Sequence, residues 1–583
     1  MKTKFNFKKI SNIIAVLAVI PIVSYLRKAG EGALYFEGVA ITERIHNIYN
    51  MALPVGLAVL LVGSVLCRTK LGKAILYSGL FILMGALLSW SYMYSIMDAD
   101  NYTFEAFQHD SEILVTDGIL MESQGFSLLD DDNGDYGLRR PYANYGVIGE
   151  DNVGYPDDPQ WKNGYSTVRC GMVFKNTERI KRAAVPGAYM RNIYGPFIIS
   201  EVQTDDEYIY VFFDSDVILT EEHDGVARGA ELLRYLASYE SQYGLQGKIF
   251  RKYVEYVGNL EDAHINMRFI NSTLMAAVAM LIVFLLYSKY GLMMAGSFYI
   301  TFLLSQWVTN FGRNLYWVEF TWFIPMAVGI FCSLHSEKRM ARIVSYIGAF
   351  LSVLVKCLCG YEYLSTIMVG LIAFLLADTV AALIHKEKEK FWLLVRTMFI
   401  VGVLALAGFA TAICMHADIR GNGDIAEGVK IIIQQDVMRR THSSDTSMFT
   451  PDVKASLEST VKEVVERYFD FGTDVIKGIE AEKFASLYKM ALLLGITGLV
   501  IRRRKIDDIV LYFVFLSSTL SWHILAKAHS YVHTHMNYVL WYFGFVQICI
   551  YLIVSAVPNI IIYHKRRNRQ DEKDENEMIQ ENM

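Results

Sequence analysis

Long apolar runs recur along the whole of this 583-residue chain, and they limit the folds that it can adopt. A helix of roughly 17–25 apolar residues is long enough to cross the hydrocarbon core of a bilayer. We therefore predict an all-α polytopic membrane protein with about 12 transmembrane helices. The predicted spans lie at residues 10–26, 51–67, 74–97, 269–287, 291–308, 318–334, 343–359, 364–384, 391–416, 485–501, 508–527 and 537–563.

The basic residues of the short connections predict the orientation of these spans. If the N-terminus is cytoplasmic, nearly every dense Lys/Arg cluster falls on one side, in agreement with the positive-inside rule. The turn between the fourth and fifth spans gives the weakest evidence for this orientation, since Lys289 is its only basic residue. We predict a multi-pass protein of the cell (plasma) membrane with both termini in the cytoplasm. The clusters are "KKI", "CRTKLGK", "YSKYG", "HSEKRMARI", "HKEKEK", "IRRRKIDD" and "HKRRNRQDEKDENE".

The first apolar run also has features of a secretory signal peptide, because a basic start precedes its apolar centre. The following "SYLRKAGEGALYFEG" is a poor match to a small-residue cleavage site, so we expect a retained span. Of the seven cysteines, only Cys170 lies well inside a polar segment. An exported segment with one cysteine has no internal disulfide framework, which fits a bacterial envelope.

Two long polar segments interrupt the spans. In the first, "DEYIYVFFDSDVIL" predicts a strand and "GVARGAELLRYLASYESQYGLQGKIFRKYVEYVGNL" predicts helix with a Gly-containing break. The second is predicted to be helical, with Thr450 as N-cap and Pro451 in the first turn. The predicted domains are 1–97 (three spans with the acidic outer loop 27–50), 98–268 (an extracytoplasmic α+β insertion), 269–416 (spans four to nine), 417–484 (a helical outer segment), 485–563 (spans ten to twelve) and 564–583 (a disordered charged cytoplasmic tail).

Ionisable and aromatic residues gather near the predicted outer interface. Charge is costly there unless it is paired or lines a wet cavity. Lys356 has a structural alternative, since its side chain can snorkel to the headgroups, and tyrosines at span ends also fit an interfacial aromatic belt. The candidate carboxylates are Glu31, Glu37 and Glu362, and the candidate substrate- or phosphate-binding residues are Arg313, Lys356, Tyr361, Tyr363, Lys527, His529, His533 and His535.

The histidines belong to the stretch "KAHSYVHTHMNYVLWYFGF" between the last two spans. His529 and His533 share a helix face at i,i+4. A zinc site would also need His535, and therefore a break in the helix after His533. No cysteine partner or H-E-x-x-H pattern accompanies them. We rank contact with phosphate or acceptor first and a divalent cation second, and no cofactor is certain.

This combination of side chains suits a lipid-phosphate substrate at the membrane surface. Arg and Lys hold phosphate oxygens, a carboxylate can deprotonate an acceptor hydroxyl, and histidine binds phosphate when protonated. The expected partners are a lipid-linked sugar donor, a glycan or protein acceptor, and membrane lipids, and we expect no nucleic acid.

The layout resembles the GT-C class of glycosyltransferases, polytopic enzymes that take sugars from polyprenyl-phosphate donors at the outer face. "GYEY" (360–363) and "HSYVHTHMNYVLWY" (529–542) also resemble stretches in bacterial envelope-polysaccharide membrane proteins. The GT-C resemblance implies a general base in the first outer loop, a role for Glu37 or Glu31, although this loop lacks a paired Asp-Asp or Asp-Glu. It also implies that Arg313, Lys356 and Lys527 neutralise the leaving phosphate, with inversion of the anomeric carbon.

Three other functions fit parts of the sequence. A polymerase or ligase of lipid-linked glycans needs the same basic residues at the outer face. A lipid or polysaccharide transporter needs charges deep in the spans, and besides Lys356 only Asp378 and Arg396 lie well inside, toward the cytoplasmic end. A sensor or adhesin leaves the outer cluster unexplained. On the transferase hypothesis, Glu37, Lys356, Glu362 and the histidines converge on one outer cavity.

Overall fold

The computed structural model divides the chain into two compact units. One comprises residues 1–112, 241–246 and 257–583, and the other residues 113–240 and 247–256. The predicted first span, the loop positions Glu31 and Glu37, and the predicted tail lie outside the described residues. The structure describes residues 43–66, 69–94, 112–123, 135–142, 152–154, 170–192, 195–214, 231–233, 235–258, 260–438, 451–500 and 506–556.

Helices dominate the described chain. They are accompanied by a π-helical turn at Ile432–Val437 and a 3₁₀ turn at Tyr538–Tyr542. The helices are α1 (Glu43–Leu66), α2 (Lys70–Met93), α3 (Thr116–Ser123), α4 (Glu178–Ala183), α5 (Leu245–Val257), α6 (Leu260–Tyr290), α7 (Leu292–Leu304), α8 (Gln306–Phe311), α9 (Phe320–Leu334), α10 (Arg339–Cys359), α11 (Leu364–Ile384), α12 (Lys388–Arg420), α13 (Ile425–Ile431), α14 (Pro451–Glu458), α15 (Val461–Asp470), α16 (Phe484–Val500), α17 (Ile506–Leu525), α18 (Lys527–Val532), α19 (Thr534–Asn537) and α20 (Phe545–Ala556).

Strands make up a smaller part of the described residues. They are β1 (Arg139–Tyr142), β2 (Asn152–Gly154), β3 (Gly171–Lys175), β4 (Tyr189–Asn192), β5 (Gly195–Thr204), β6 (Tyr208–Phe213), β7 (Glu231–Leu233), β8 (Tyr235–Ser238), β9 (Thr473–Ile476) and β10 (Ile479–Ala481).

Seven of the described helices are long and apolar enough to cross a membrane: α1, α2, α6, α10, α11, α12 and α17. Four shorter apolar helices, α7, α9, α16 and α20, coincide with further predicted spans. The structure therefore supports a helical membrane protein, and the count of twelve spans stays a prediction.

Two of the predicted spans are interrupted in the structure. The predicted span 291–308 is divided at Ser305, whose hydroxyl accepts a hydrogen bond from the Val308 N–H and caps α8. The predicted last span begins at residue 537, but regular helix starts only at Phe545. The 3₁₀ turn and Gly544, at φ 115°, separate that helix from the histidine stretch.

The charged residues that lie within the helices are partly neutralised. Asp378 of α11 accepts hydrogen bonds from Lys289 Nζ at 2.7 and 2.8 Å and from Ser333 Oγ at 2.5 Å. Arg396 is exposed on α12. A paired carboxylate inside a helical bundle is accounted for by structure, so Asp378 adds no support to the transporter hypothesis.

Glycine allows α9 and α11 to pack closely. A Cβ added to Gly329 would lie 1.9 Å from the Leu371 carbonyl oxygen, a helix backbone atom that cannot easily yield. We expect Gly329→Ala to lower the free energy of unfolding by about 1–3 kcal/mol through overpacking, measured by thermal unfolding in micelles. Gly402→Ala is the matched control, because Gly402 of α12 has nothing within 4 Å of its Cβ position. It should be neutral or stabilising by up to about 1 kcal/mol, and equal losses in both variants would contradict the packing argument.

The second unit contains a six-stranded antiparallel sheet in the order β2-β3-β6-β5-β4-β7. Alternate residues of β3 enter two separate apolar clusters, as period-two geometry requires: Met172 and Phe174 join one, and Val173 joins the other. Strand β6 confirms the strand prediction for "DEYIYVFFDSDVIL".

The helix prediction for "GVARGAELLRYLASYESQYGLQGKIFRKYVEYVGNL" is wrong at residues 231–233 and 235–238. Residues Glu231–Leu233 and Tyr235–Ser238 form β7 and β8, which pair with β4 and β1. Among the described residues of this stretch, Leu245–Val257 form the helix α5. Available strand partners outweigh the local preference for helix, since strand formation depends strongly on tertiary context.

The predicted outer segment 417–484 is helical for most of its described length. The helix predicted to start at Pro451 breaks at Ser459, because Thr460 forms a capping box with Glu463 and starts α15. The hairpin β9–β10 follows α15 and was not predicted.

Candidate functional site

The site is built around the turn "GYEY", which joins the end of α10 to the start of α11. Gly360 has φ 155°, and a Cβ there would lie 2.5 Å from Glu362 Oε2 and 2.8 Å from Gln242 Oε1. Tyr363 is held in the left-handed region at φ 63°. Non-glycine residues in this region cost free energy and often occur at functional sites. The turn therefore places Glu362 against Gly360, where another side chain would not fit.

Lys356 lies under this turn rather than at the lipid surface. Its side chain is 1% exposed, and Nζ donates to the Gly360 carbonyl oxygen at 2.6 Å. Lys356 also interacts electrostatically with Glu362. Lys356 therefore does not snorkel to the headgroups. Its ammonium group lies inside the protein and interacts with the buried Glu362.

Tyr363 connects the turn to the histidine stretch. Its hydroxyl donates to Asn537 Oδ1 at 2.9 Å, and burial raises the pKa of this phenol well above its ordinary value. Its ring contacts Trp522 at 5.5 Å between centroids, and Trp522 contacts His529 at 6.0 Å. A helix with its side chains is about 10–12 Å across. The structure thus brings Tyr363 of "GYEY" against Asn537 and within two ring contacts of His529. Convergence on one outer cavity stays a prediction.

Two tryptophan rings also pack against Tyr363. Trp317 stacks on its ring with centroids 6.0 Å apart and planes 14° apart. Trp322 meets the same ring edge-on at 5.1 Å. Tyr363, Trp317 and Trp322 are 0%, 6% and 2% exposed, so these rings pack on one another and hold the turn in position.

Residues of the histidine stretch also form hydrogen bonds with the segment that precedes α16. Lys527 Nζ donates to the carbonyl oxygens of Leu457, at 2.8 Å, and Ser459. Tyr468 Oη donates to the Ser530 carbonyl oxygen at 2.8 Å. Lys527, predicted to bind phosphate, thus closes the carbonyl end of α14, and phosphate would compete with these two bonds.

The helix breaks at His533, between α18 and α19, as a three-histidine zinc site would require. The rings of His529 and His533 are 4.5 Å apart between centroids. Within the described parts of the chain, no group of three or more His, Cys, Asp or Glu residues is placed to hold a metal ion. The His535 side chain lies outside the described residues. The cation therefore remains second to direct substrate contact.

Arg313 binds a helix end in the structure. Its Nη1 donates to the Met93 carbonyl oxygen, which ends α2, at 3.2 Å. The adjacent Asn314 accepts from the backbone N–H groups of Tyr316 and Trp317 and is 1% exposed. These bonds fix the connection that carries Trp317 toward Tyr363.

Several residues of the site escaped the sequence analysis. Gln246 Nε2 donates to the carbonyl oxygens of Tyr316 and Cys359 at 2.9 and 2.8 Å, which ties two connections together. His416 Nδ1 lies 3.2 Å from Tyr361 Oη. The available signals were a histidine at the end of an apolar run, for His416, and an asparagine inside the histidine stretch, for Asn537. Nothing in the sequence marked Gln246.

Comparison with known proteins gives no further information on this site. No protein-family model matches the sequence, and the comparisons with curated proteins and with solved structures found no match either. Function must therefore be inferred from the chemistry of the site itself.

Proposed function

We propose that this chain is an integral-membrane glycosyltransferase that moves a sugar from a polyprenyl-phosphate donor to a glycan or other acceptor. We place the reaction at the outer face of a cell membrane, within a bundle of about twelve helices. The observation that carries the proposal is the "GYEY" turn, at which an acid, a buried ammonium group and aromatic rings meet where two apolar helices end.

Each part of the turn has a role in such a reaction. Glu362 receives the proton of the acceptor hydroxyl, because a positioned carboxylate is a suitable general base. Lys356 stabilises the charge that develops on the leaving phosphate. Tyr363, Trp317 and Trp322 are buried against one another and hold the turn, and with it Glu362, in position.

The reaction balances without a cofactor. The acceptor oxygen attacks the anomeric carbon, the bond from that carbon to the phosphate oxygen breaks, and its electron pair leaves on the phosphate. The proton goes to Glu362, and the configuration at the anomeric carbon inverts. Glu37 and Glu31, which the GT-C resemblance names as the base, are the competing candidates for this proton.

The histidines act at the margin of this site in the proposal. His529 reaches Tyr363 through Trp522, and His533 lies next to His529. We assign both, with His535, to contacts with phosphate or glycan, with a divalent cation as the alternative. Arg313 and Lys527 keep their predicted role in phosphate binding only if substrate displaces their backbone contacts.

Turnover of labelled donor by the purified full chain tests the proposal. Protein in detergent micelles or nanodiscs is given polyprenyl phosphates that carry labelled glucose, galactose, mannose or N-acetylglucosamine. We expect release of polyprenyl phosphate with at least one donor, and Lys356→Met should reduce it about 10²–10³-fold through the lost charge stabilisation.

Two outcomes would overturn the assignment. Absence of release across the donor panel, in protein with an unchanged melting temperature, excludes this transferase reaction. Turnover only of polyprenyl-diphosphate-linked oligosaccharides would instead identify a polymerase or ligase. Lys390→Met, on the exposed start of α12, controls for general loss of positive charge.

A further inference from the structure

A second polar cluster lies beside the turn, at the end of α12. His416 and Arg420 are one helical turn apart and therefore share a face of that helix. Tyr361 stacks on the His416 ring with centroids 5.7 Å apart and planes 25° apart, in addition to the contact between their polar atoms. His416 is fully buried and Arg420 is half-buried, so the cluster extends from the interior toward the exposed connection at 421–424.

The π-helical turn packs against this end of α12. Arg420 Nη2 donates to Gln435 Oε1 at 2.5 Å. The preceding helix is in close contact as well, since a Cβ on Gly428 would lie 1.9 Å from the Ala417 carbonyl oxygen. Asp436 follows Gln435 in this π-helical turn, and π-helical turns are frequent at functional sites.

Asp436 supplies the observation that points to a ligand. Its side chain is 6% exposed, and its Oδ2 atom has no hydrogen-bond partner among the described residues. It lies within electrostatic range of Tyr361. A buried carboxylate oxygen without a donor is unfavourable and calls for an explanation such as a bound ligand or water.

The phenol of Tyr361 is suited to donate a hydrogen bond to such a ligand. Burial is the main cause that raises the pKa of Tyr361 above its ordinary value, and Asp436 and Glu362 raise it further. Tyr361 therefore stays protonated at neutral pH. The cluster then offers one carboxylate acceptor, a phenol, a guanidinium donor and an imidazole, together with the face of an aromatic ring.

We propose that Tyr361, His416, Arg420 and Asp436 form the subsite for the acceptor glycan, where they bind the hydroxyl groups of a neutral sugar ring. Neighbouring hydroxyls donate to Asp436 and accept from Arg420, and the apolar face of the sugar packs on Tyr361. The inference rests on the proposed function, because Glu362, the proposed base, is the residue after Tyr361 and interacts with it electrostatically.

Other ligand classes fit this cluster less well. The Asp436 carboxylate would repel a phosphate or a carboxylated sugar. A divalent cation would find one carboxylate and one imidazole here, short of the three or more ligands that protein sites use. A neutral polyhydroxylated ring can satisfy Asp436 and Arg420 at once, since each hydroxyl both donates and accepts.

Sugar binding by the full chain in micelles tests the subsite without any donor. Saturation-transfer NMR is recorded with the methyl glycosides of glucose, galactose, mannose and N-acetylglucosamine. We expect at least one glycoside to bind, and Asp436→Asn to weaken it about 10–100-fold, the effect of losing a hydrogen bond to a charged group. Tyr361→Phe, which keeps the ring, should weaken binding less.

The matched control is Asp424→Asn on the same segment. Asp424 is exposed and caps α13 through the N–H groups of Ala426 and Glu427, and asparagine caps equally well. Binding should be unchanged in this variant. The subsite is excluded if no glycoside binds the unaltered chain. It is also excluded if both Asp variants bind the glycoside as tightly as the unaltered chain does.

The result can be separated from that of donor turnover. Donor cleavage without Asp436-dependent sugar binding would keep the transferase proposal and reject this subsite. Asp436-dependent sugar binding in a chain that cleaves no donor would keep the subsite and reject the transferase reaction.

Discussion

Glu362→Gln is expected to slow release of polyprenyl phosphate by about 10²–10⁴-fold, the range associated with a general base. The substitution keeps the shape of the side chain at the crowded turn, where a Cβ on Gly360 would meet Glu362 Oε2. Binding of the donor should change little, so the loss should appear in kcat rather than in KM. Steady-state kinetics with labelled donor measure both constants.

The control and the competing assignment are tested in the same assay. Glu466→Gln, whose side chain is 57% exposed in α15, should retain full activity. If Glu37→Gln or Glu31→Gln removes activity while Glu362→Gln retains it, the base lies in the first outer loop, as the GT-C resemblance implies. In that case Glu362 would serve only as the electrostatic partner of Lys356.

Arg268→Met is expected to lower the free energy of unfolding by about 3–5 kcal/mol, because it leaves a buried carboxylate without its counter-ion. Arg268 Nη2 lies 2.5 Å from Glu112 Oε2, and both side chains are 9% exposed. Glu112 Oε1 also accepts from the Leu315 N–H at 3.0 Å. The pair thus anchors α6 to the connection that carries Trp317, and unfolding by denaturant in micelles measures its contribution.

A double variant separates the ion pair from simple packing. Arg268→Met with Glu112→Gln removes both charges, keeps an acceptor for the Leu315 N–H, and should recover part of the loss, since no unpaired charge is left buried. Lys181→Met is the exposed control, because Lys181 and Glu178 are 45% and 77% exposed; it should change stability by less than about 1 kcal/mol. A double variant as unstable as the single one would assign the effect to lost packing.

The helical membrane class was accessible from the sequence because apolar length is a local property. The same holds for strand β6, because a run of six apolar and aromatic residues, YIYVFF, is a local signal for a buried strand. Strands β7 and β8 were missed because their partners, β4 and β1, lie far away in the chain. The interruption at Ser305 depends on one capping hydroxyl. The mean hydropathy of the span does not reveal it.

The candidate site was accessible only in part, for a related reason. Polar residues at span ends drew attention to Lys356, Glu362 and the histidine stretch. Their bonding partners could not be predicted, because a hydrogen bond such as that from Tyr363 to Asn537 depends on how α11 and α19 meet. The same limit hid the role of Lys527, whose partners lie in α14 and just beyond its end.

The shortness of α7 has a consequence for the lipid around it. Its 13 residues rise about 20 Å, whereas the hydrocarbon core of a bilayer is about 30 Å thick. Leu292 and Met293 are exposed at its start and Ile300 near its end, so α7 presents apolar surface along its length. Hydrophobic mismatch of this kind draws the two leaflets together around a protein. On the prediction that residues 291–308 cross the membrane, we expect the bilayer to be thinned beside α7.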